Sequence, residues 1–308
     1  MKQDFKQTYY AHGKLLLTAE YLVLYGAKAI ALPLQYGQRM EVARGRQDGL
    51  LQWNAFSQEE LWFRCELELP SFKLITSSDP EKAVILQDIF RAILQLNPAF
   101  SPGSSLEIET RTGFNRQWGL GSSSTLIANL ARWAHVDAFK LNELIFHGSG
   151  FDIACATASG PVSYRKNQLP EPVSLNYPFL DHLYFIYSGS KKSTRSEISR
   201  FLHEGAITWN EVEQISQLSD HIAQEQELIG FQKLIAEHEK LLSSLLGIPA
   251  IKSARFNDFE GEMKSLGAWG GDFYLAATRL KRSDVLQYFK NKGLNVVFSW
   301  KELVLDKQ

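Results

Sequence analysis

Cysteine is almost missing from this chain, with only Cys65 and Cys155 in 308 residues. Two thiols cannot build a disulfide framework or a closed four-ligand zinc site, so the expectation is a cytoplasmic protein with reduced thiols. Long apolar runs are lacking as well. Leu15-Leu16-Leu17 and the stretch around Ile30 are interrupted by Glu20, Gly26 and Lys28, far short of the ~20 apolar residues that span a bilayer. Met1-Lys2-Gln3-Asp4-Phe5-Lys6 has no apolar signal-peptide core. No membrane association is therefore expected. Charge of one sign is also absent: 33 Lys and Arg face 34 Asp and Glu, for a formal net charge of -1. A nucleic-acid surface, which carries a basic surplus, is not expected either. Neither a GxxxxGK[ST] loop nor a GxGxxG loop after a strand occurs, which removes the two commonest phosphate-binding signatures.

What is present is an ordinary globular composition, 44% hydrophobic and 22% charged, in a chain long enough for two packed cores. Alternation and turn signals predict strands at 14–18, 29–32, 39–44, 50–56 and 60–68, separated by Gly26, Gly37, Gly45 and Gly49. Asp79-Pro80-Glu81 reads as a helix start, with Asp at N-cap and Pro at the first helical position. Val84, Ile85, Ile89, Ile93 and Leu94 form its expected apolar face. A strand at 106–110 should turn Glu107 and Glu109 away from Leu106 and Ile108. Helices at 123–135 and 141–146 and a strand at 161–165 follow. Pro170, Pro172 and Pro178 place a domain boundary, giving units 1–175 and 176–308. Beyond it come a strand at 182–187, helix over 197–246 with breaks near Gly205 and Gly230, then strand 273–277, helix 282–290 and strand 295–298. The predicted architecture is two α+β units, with no internal repeat.

Gly119-Leu120-Gly121-Ser122-Ser123-Ser124 lies between a predicted strand and an amphipathic helix whose stripe is Leu126, Ile127, Leu130, Ala131 and Ala134. Glycines allow a tight turn and close approach of a ligand. The unpaired amides and positive end of the helix favour an anion, and serine hydroxyls add donors or a magnesium ligand. A plain serine-rich helix cap is the other reading of the same residues.

The turn resembles the second signature of the GHMP kinases, the group of galactokinase, homoserine kinase, mevalonate kinase and phosphomevalonate kinase. That signature reads P-x-G-x-G-L-G-S-S-A, and Arg116, Gln117 and Trp118 replace its first half. Residues 11–26, beginning Ala11-His12-Gly13-Lys14 and including Ala19-Glu20-Tyr21, resemble the first signature, A-P-G-K-x-x-L-x-G-E-H/Y-x-V-L, with His12 in place of proline. Gly148-Ser149-Gly150-Phe151-Asp152-Ile153-Ala154, preceded by Glu143, resembles the segment carrying the catalytic aspartate of mevalonate and phosphomevalonate kinases. Lys264-Ser265-Leu266-Gly267-Ala268-Trp269-Gly270-Gly271-Asp272 resembles the third signature, with Trp269 on a glycine. The four segments stand in family order over residues 11–272.

The resemblance implies an α+β two-domain GHMP kinase fold: an N-terminal ribosomal-protein-S5-like domain and a C-terminal ferredoxin-like domain. It implies ATP held by Gly119, Leu120, Gly121, Ser122, Ser123 and Ser124, and Mg2+ held by Ser123 and Glu143. Asp152 and Lys14 take the catalytic roles: a carboxylate for the acceptor proton and an ammonium beside the transferred phosphoryl group. Glu20, Tyr21, Gly150, Gly270 and Gly271 fall where the family contacts substrate. The basic loop Lys192, Ser193, Thr194 and Arg195 suits an acceptor that already carries phosphate. Those features point to phosphomevalonate as the small-molecule partner, with mevalonate as the alternative. A ligand sensor that kept the fold and lost catalysis is the reading from another class. Homodimerisation stays open.

Overall fold

A computed structural model describes residues 6–189, 207–267 and 271–306. Packing sorts the chain into two units, each assembled from separate stretches. The first takes the chain up to residue 13, 36–116 and 120–157, and the second takes 14–35, 117–119 and 158 onward. The sequence suggests a single cut after residue 175; the packing instead interleaves the chain.

The sheet of the first unit runs β5-β4-β3-β6-β2. Its strands are β2 (Ala29–Arg44), β3 (Leu50–Ser57), β4 (Glu60–Glu68), β5 (Lys73–Ser77) and β6 (Ser105–Thr112), and β1 (Lys6–Leu16) pairs with β2. β3 and β6 are parallel, while β3–β4, β4–β5 and β2–β6 are antiparallel. Strand alternation decides which side is core. Leu51, Trp53, Ala55, Phe63, Cys65, Leu106 and Ile108 are buried on one face, and Glu107 and Glu109 point away from it as expected. Helices α1 (Pro80–Leu96), α2 (Ser122–Ala134), α3 (Ala138–Phe146) and α4 (Phe151–Thr157) close that face with Ile89, Phe90, Ile93, Ile127, Leu130, Leu141 and Ile153. Each large side chain so buried contributes about 1.5–3 kcal/mol.

The helix start at Asp79 is as read: its Oδ1 accepts from the Lys82 amide at 3.2 Å. The apolar face of α1 differs. Ala83, Leu86, Ile89, Phe90 and Ile93 form the buried stripe, whereas Val84 and Ile85 are 48% and 41% exposed. Positions 83, 86, 90 and 93 share the i, i+3, i+7, i+10 row, and 84 and 85 lie off it. The two strands expected at 29–32 and 39–44 are one 16-residue strand, β2. Gly37 does not punctuate it. A Cβ there would overlap the Ala11 carbonyl and the Tyr10 ring, so this glycine marks a close crossing of β1.

The second unit holds an antiparallel sheet of order β10-β11-β9-β12, with β9 (Leu183–Tyr187), β10 (Glu262–Leu266), β11 (Phe273–Ala277) and β12 (Val297–Ser299). Helices α5 (Trp209–Gln224), α6 (Leu228–Leu246) and α7 (Ile251–Arg255) lie between β9 and β10, and α8 (Arg282–Asn291) lies between β11 and β12. This βαββαβ order, with β9 and β11 central, is the ferredoxin-like arrangement. Tyr184, Ile186, Phe256, Met263, Tyr274, Val285 and Phe289 form one of its cores. β7 (Val162–Tyr164) pairs with residues 29–31 of β2 and with the short β8 (Glu171–Pro172). The break expected near Gly230 lies instead at 225–227, and Gly230 is inside α6. The Glu225 carboxylate accepts from the amides of Gln226 and Glu227 at 2.8 Å each, which ends α5 and opens α6. The helical expectation around Gly205 lies outside the described residues.

Candidate active site

In the first unit, α2 starts without a side-chain cap. Gly121 occupies its N-cap with φ 94°, a left-handed conformation that favours glycine. Leu120 is fully buried before it and anchors the turn. The hydroxyls of Ser124 and Thr125 turn back to the Gly121 carbonyl at 2.9 and 3.0 Å, while Ser123 is exposed at the helix tip. Asn129 fixes the helix to β2 by donating to the Gln38 carbonyl at 2.9 Å. The N-cap glycine thus offers the first-turn amides no side-chain acceptor of its own, an arrangement suited to an anion.

α3 presents Glu143 on its exposed side, and α3 packs against α2. Buried Gly150 has φ 94°, and its carbonyl accepts from Ile153 and Ala154 at 3.1 and 3.0 Å. α4 therefore begins at Phe151, and Asp152 lies within its first turn instead of capping it from outside. Its Oδ1 accepts from the Ile153 amide at 3.1 Å. The half-buried carboxylate shares the unit with Ser123 and Glu143.

The second unit carries Lys14, half-buried on β1, and the 19–21 turn. Ala19 and Tyr21 have φ of 62° and 61°, and Ala19 stands on the glycine of the first signature. Glu20 between them is 1% exposed and ion-paired with Lys264, which is itself fully buried. Burial pushes the Glu20 carboxyl up to about 7 against the opposing pull of Lys264. His238 lies 3.7 Å from Glu20, yet its Nε2 accepts the Ala19 amide proton at 2.9 Å. The ring is therefore neutral, in keeping with burial that holds its pKa well below the usual histidine value, and no ion pair forms there. Glu239 accepts from the Ser265 and Ile251 amides at 2.9 and 3.2 Å, and burial raises its pKa too. Sequence patterns miss His238 and Glu239 because both sit in an amphipathic helix, where charge reads as surface. The signal was spatial: both residues are buried.

Trp118, which replaces part of the second signature, packs on Tyr187 and Phe298 with ring centroids 6.2 and 5.5 Å away, and the Tyr187 hydroxyl donates to the Gln117 carbonyl at 3.1 Å. Gly119, φ 71°, lies against the carboxylate of Asp272, which occupies the space a Cβ would need. Gly271 is likewise left-handed, φ 51°. Gly270, with Ala268 and Trp269, and the loop residues Lys192, Ser193, Thr194 and Arg195 lie outside the described residues. A cavity of about 720 Å³ on the outer face of the first unit's sheet, lined among others by Gln52, Asn54, Arg64, Glu66 and Glu107, contains none of these motif residues.

No protein-family model matches the chain, and no curated protein matches it in sequence. Solved structures do. Methanococcus jannaschii mevalonate kinase superposes with a TM-score of 0.75 at 17% identity, covering 98% of this chain and 99% of that one. Streptococcus pneumoniae phosphomevalonate kinase, in complex with phosphomevalonate and AMPPNP, gives 0.69 at 16%, covering 95% and 99%. Lactococcus lactis galactokinase, complexed with galactose, gives 0.65 at 12%, covering 99% and 94%. With both chains covered nearly end to end, this protein shares the fold of these solved kinases.

Proposed function

We propose that this chain is an ATP-dependent small-molecule kinase, with phosphomevalonate as its acceptor. The observation that carries the reading is the start of α2, where Gly121 leaves the helix without a side-chain cap and Ser123 exposed beside it, in a fold shared with solved kinases. Phosphoryl transfer asks the protein chiefly for positioning and charge stabilisation. In this reading the amides of residues 121–124 hold the nucleotide phosphates. The acceptor oxygen, a phosphate oxygen of phosphomevalonate or the hydroxyl of mevalonate in the alternative, attacks the γ-phosphorus, the bond from that phosphorus to the bridging β-phosphate oxygen breaks, and ADP leaves. Asp152 takes the acceptor proton, and Lys14 offsets the phosphoryl charge.

Among the described residues no three His, Cys, Asp or Glu side chains cluster to hold a metal. Ser123 and Glu143, two exposed hard-oxygen donors, suit an ion that keeps waters and phosphate oxygens as its other ligands and would neutralise phosphate charge there. Mevalonate is the second acceptor. It is favoured by the mevalonate kinase superposition, whose TM-score of 0.75 exceeds the 0.69 of the phosphomevalonate kinase complex. ADP release from ATP in the presence of each acceptor, with Asp152→Asn as control, tests the reading. Acceptor-dependent release that the variant loses supports it, and release unchanged in the variant removes Asp152 from the mechanism.

A further inference from the structure

Three consecutive residues of the second unit are each gripped by a different element. Thr18 Oγ1 accepts from Ser219 of α5 at 2.8 Å, the Ala19 amide donates to His238 of α6, and Glu20 binds Lys264 of β10. All six residues are at most 1% exposed. The segment they hold is strained. Ala19 and Tyr21 are both left-handed, a conformation that side chains other than glycine keep only where their surroundings over-determine it. The tight hydrogen bonds from Leu22 N to the Glu20 carbonyl, 2.7 Å, and from Val23 N to the Ala19 carbonyl, 2.9 Å, complete the turn.

We propose that His238 and Lys264 are positioning residues that lock the Ala19–Tyr21 turn and join it to the strand leading into the third glycine segment. This rests on the kinase reading only where it names the turn as part of the acceptor site. Lys264 opens the segment that runs through Gly267 to Asp272, and its ammonium also donates to the Ser265 carbonyl at 2.9 Å. One side chain thus ties the first signature to the third. Buried ion pairs are weak sources of stability and can be kept for geometric specificity; a pair placed between two strained residues fits that role. Toward the turn His238 acts as an acceptor, since its Nε2 receives the Ala19 amide and its ring proton sits on Nδ1, and a glutamine oxygen can stand in for that acceptor.

The test uses the full chain with His238→Leu, His238→Gln and Lys264→Met, read in two ways. Amide hydrogen exchange reports on the turn whether or not the protein is a kinase. His238→Leu and Lys264→Met should accelerate exchange at Leu22 and Val23 at least tenfold while β11 stays protected, and His238→Gln should restore wild-type protection. Unchanged exchange at these amides, or equal acceleration in β11, overturns the lock. Steady-state kinetics with phosphomevalonate and mevalonate then report on the acceptor. The acceptor KM should rise at least tenfold in His238→Leu with the ATP KM unchanged, and His238→Gln should recover it. An unchanged acceptor KM alongside accelerated exchange overturns the link to the acceptor. If the wild type phosphorylates neither acceptor, the kinase reading and the acceptor assignment fall together, while the exchange result still decides the lock.

Discussion

Gly119 and Asp272, 153 positions apart in the chain, lie so close that the Asp272 carboxylate fills the space of a side chain at Gly119. The second and third glycine segments therefore meet at a position where only glycine fits, in size and in backbone conformation. Gly119→Ala should weaken ATP binding at least tenfold and destabilise the fold by about 1–3 kcal/mol. Gly293→Ala is the control, with a comparable φ of 77° and no atom within 4 Å of an added Cβ. It isolates the backbone term. Equal losses in the two variants, measured by calorimetry and chemical denaturation, would show that the Asp272 contact contributes nothing.

Asp152 lies inside the first turn of α4, so it is not needed as an outside cap. Asp152→Asn should lower kcat by about 10²–10⁴. ATP affinity and melting temperature should stay at wild-type values, because the amide keeps the shape and the acceptor oxygen of the side chain.

Ser123 and Glu143 are tested by magnesium itself. Ser123→Ala and Glu143→Gln should each raise the magnesium concentration needed for nucleotide binding several-fold, with the fold intact since both residues are exposed. Titration calorimetry at fixed nucleotide measures this. EDTA should abolish ADP release from the wild type.

The buried cluster sets a pH dependence of stability. The folded-state pKa of Glu20 is raised, so between its ordinary value of 4.5 and about 7 the folded chain binds the extra proton, and stability falls as pH rises. Glu239, also raised, acts with the same sign. The pKa of His238 is depressed, so below 6.5 the unfolded chain binds the extra proton, and stability falls as pH drops. Glu20 and His238 thus oppose each other between about pH 5 and 6. His238→Gln removes one side of that balance. Its stability should change relative to wild type by about 1.4 kcal/mol per pH unit in this window, becoming greater at the acidic end. Denaturant unfolding at several pH values measures the difference in slope.

Much of this was legible in the sequence where local chemistry dictates structure. Asp79-Pro80 starts α1 where a capping carboxylate and a residue lacking N–H belong, β11 occupies the expected 273–277, and Gly121-Ser122 opens α2. The misses come from packing. Val84 and Ile85 match their neighbours in hydropathy, and only the position of the sheet decides that they face water. Gly37 looks like a turn because sequence cannot show β1 crossing it. Glu20 was legible as a motif residue, but its partner stands 244 residues away, and the burial of His238 and Glu239 depends on a strand, β10, that helix periodicity does not reveal. Trp118 departs from the second signature, and its packing against Tyr187 and Phe298 is a long-range contact that no local pattern shows.

The most direct test of the central claim is detection of the phosphorylated product by mass spectrometry after incubating the purified chain with ATP, magnesium and either phosphomevalonate or mevalonate. The account predicts a product heavier by one phosphoryl group, formed with stoichiometric ADP and at a rate lowered by about 10²–10⁴ with Asp152→Asn. ATP binding without any phosphorylated product from either acceptor would contradict it and favour a sensor built on a kinase fold.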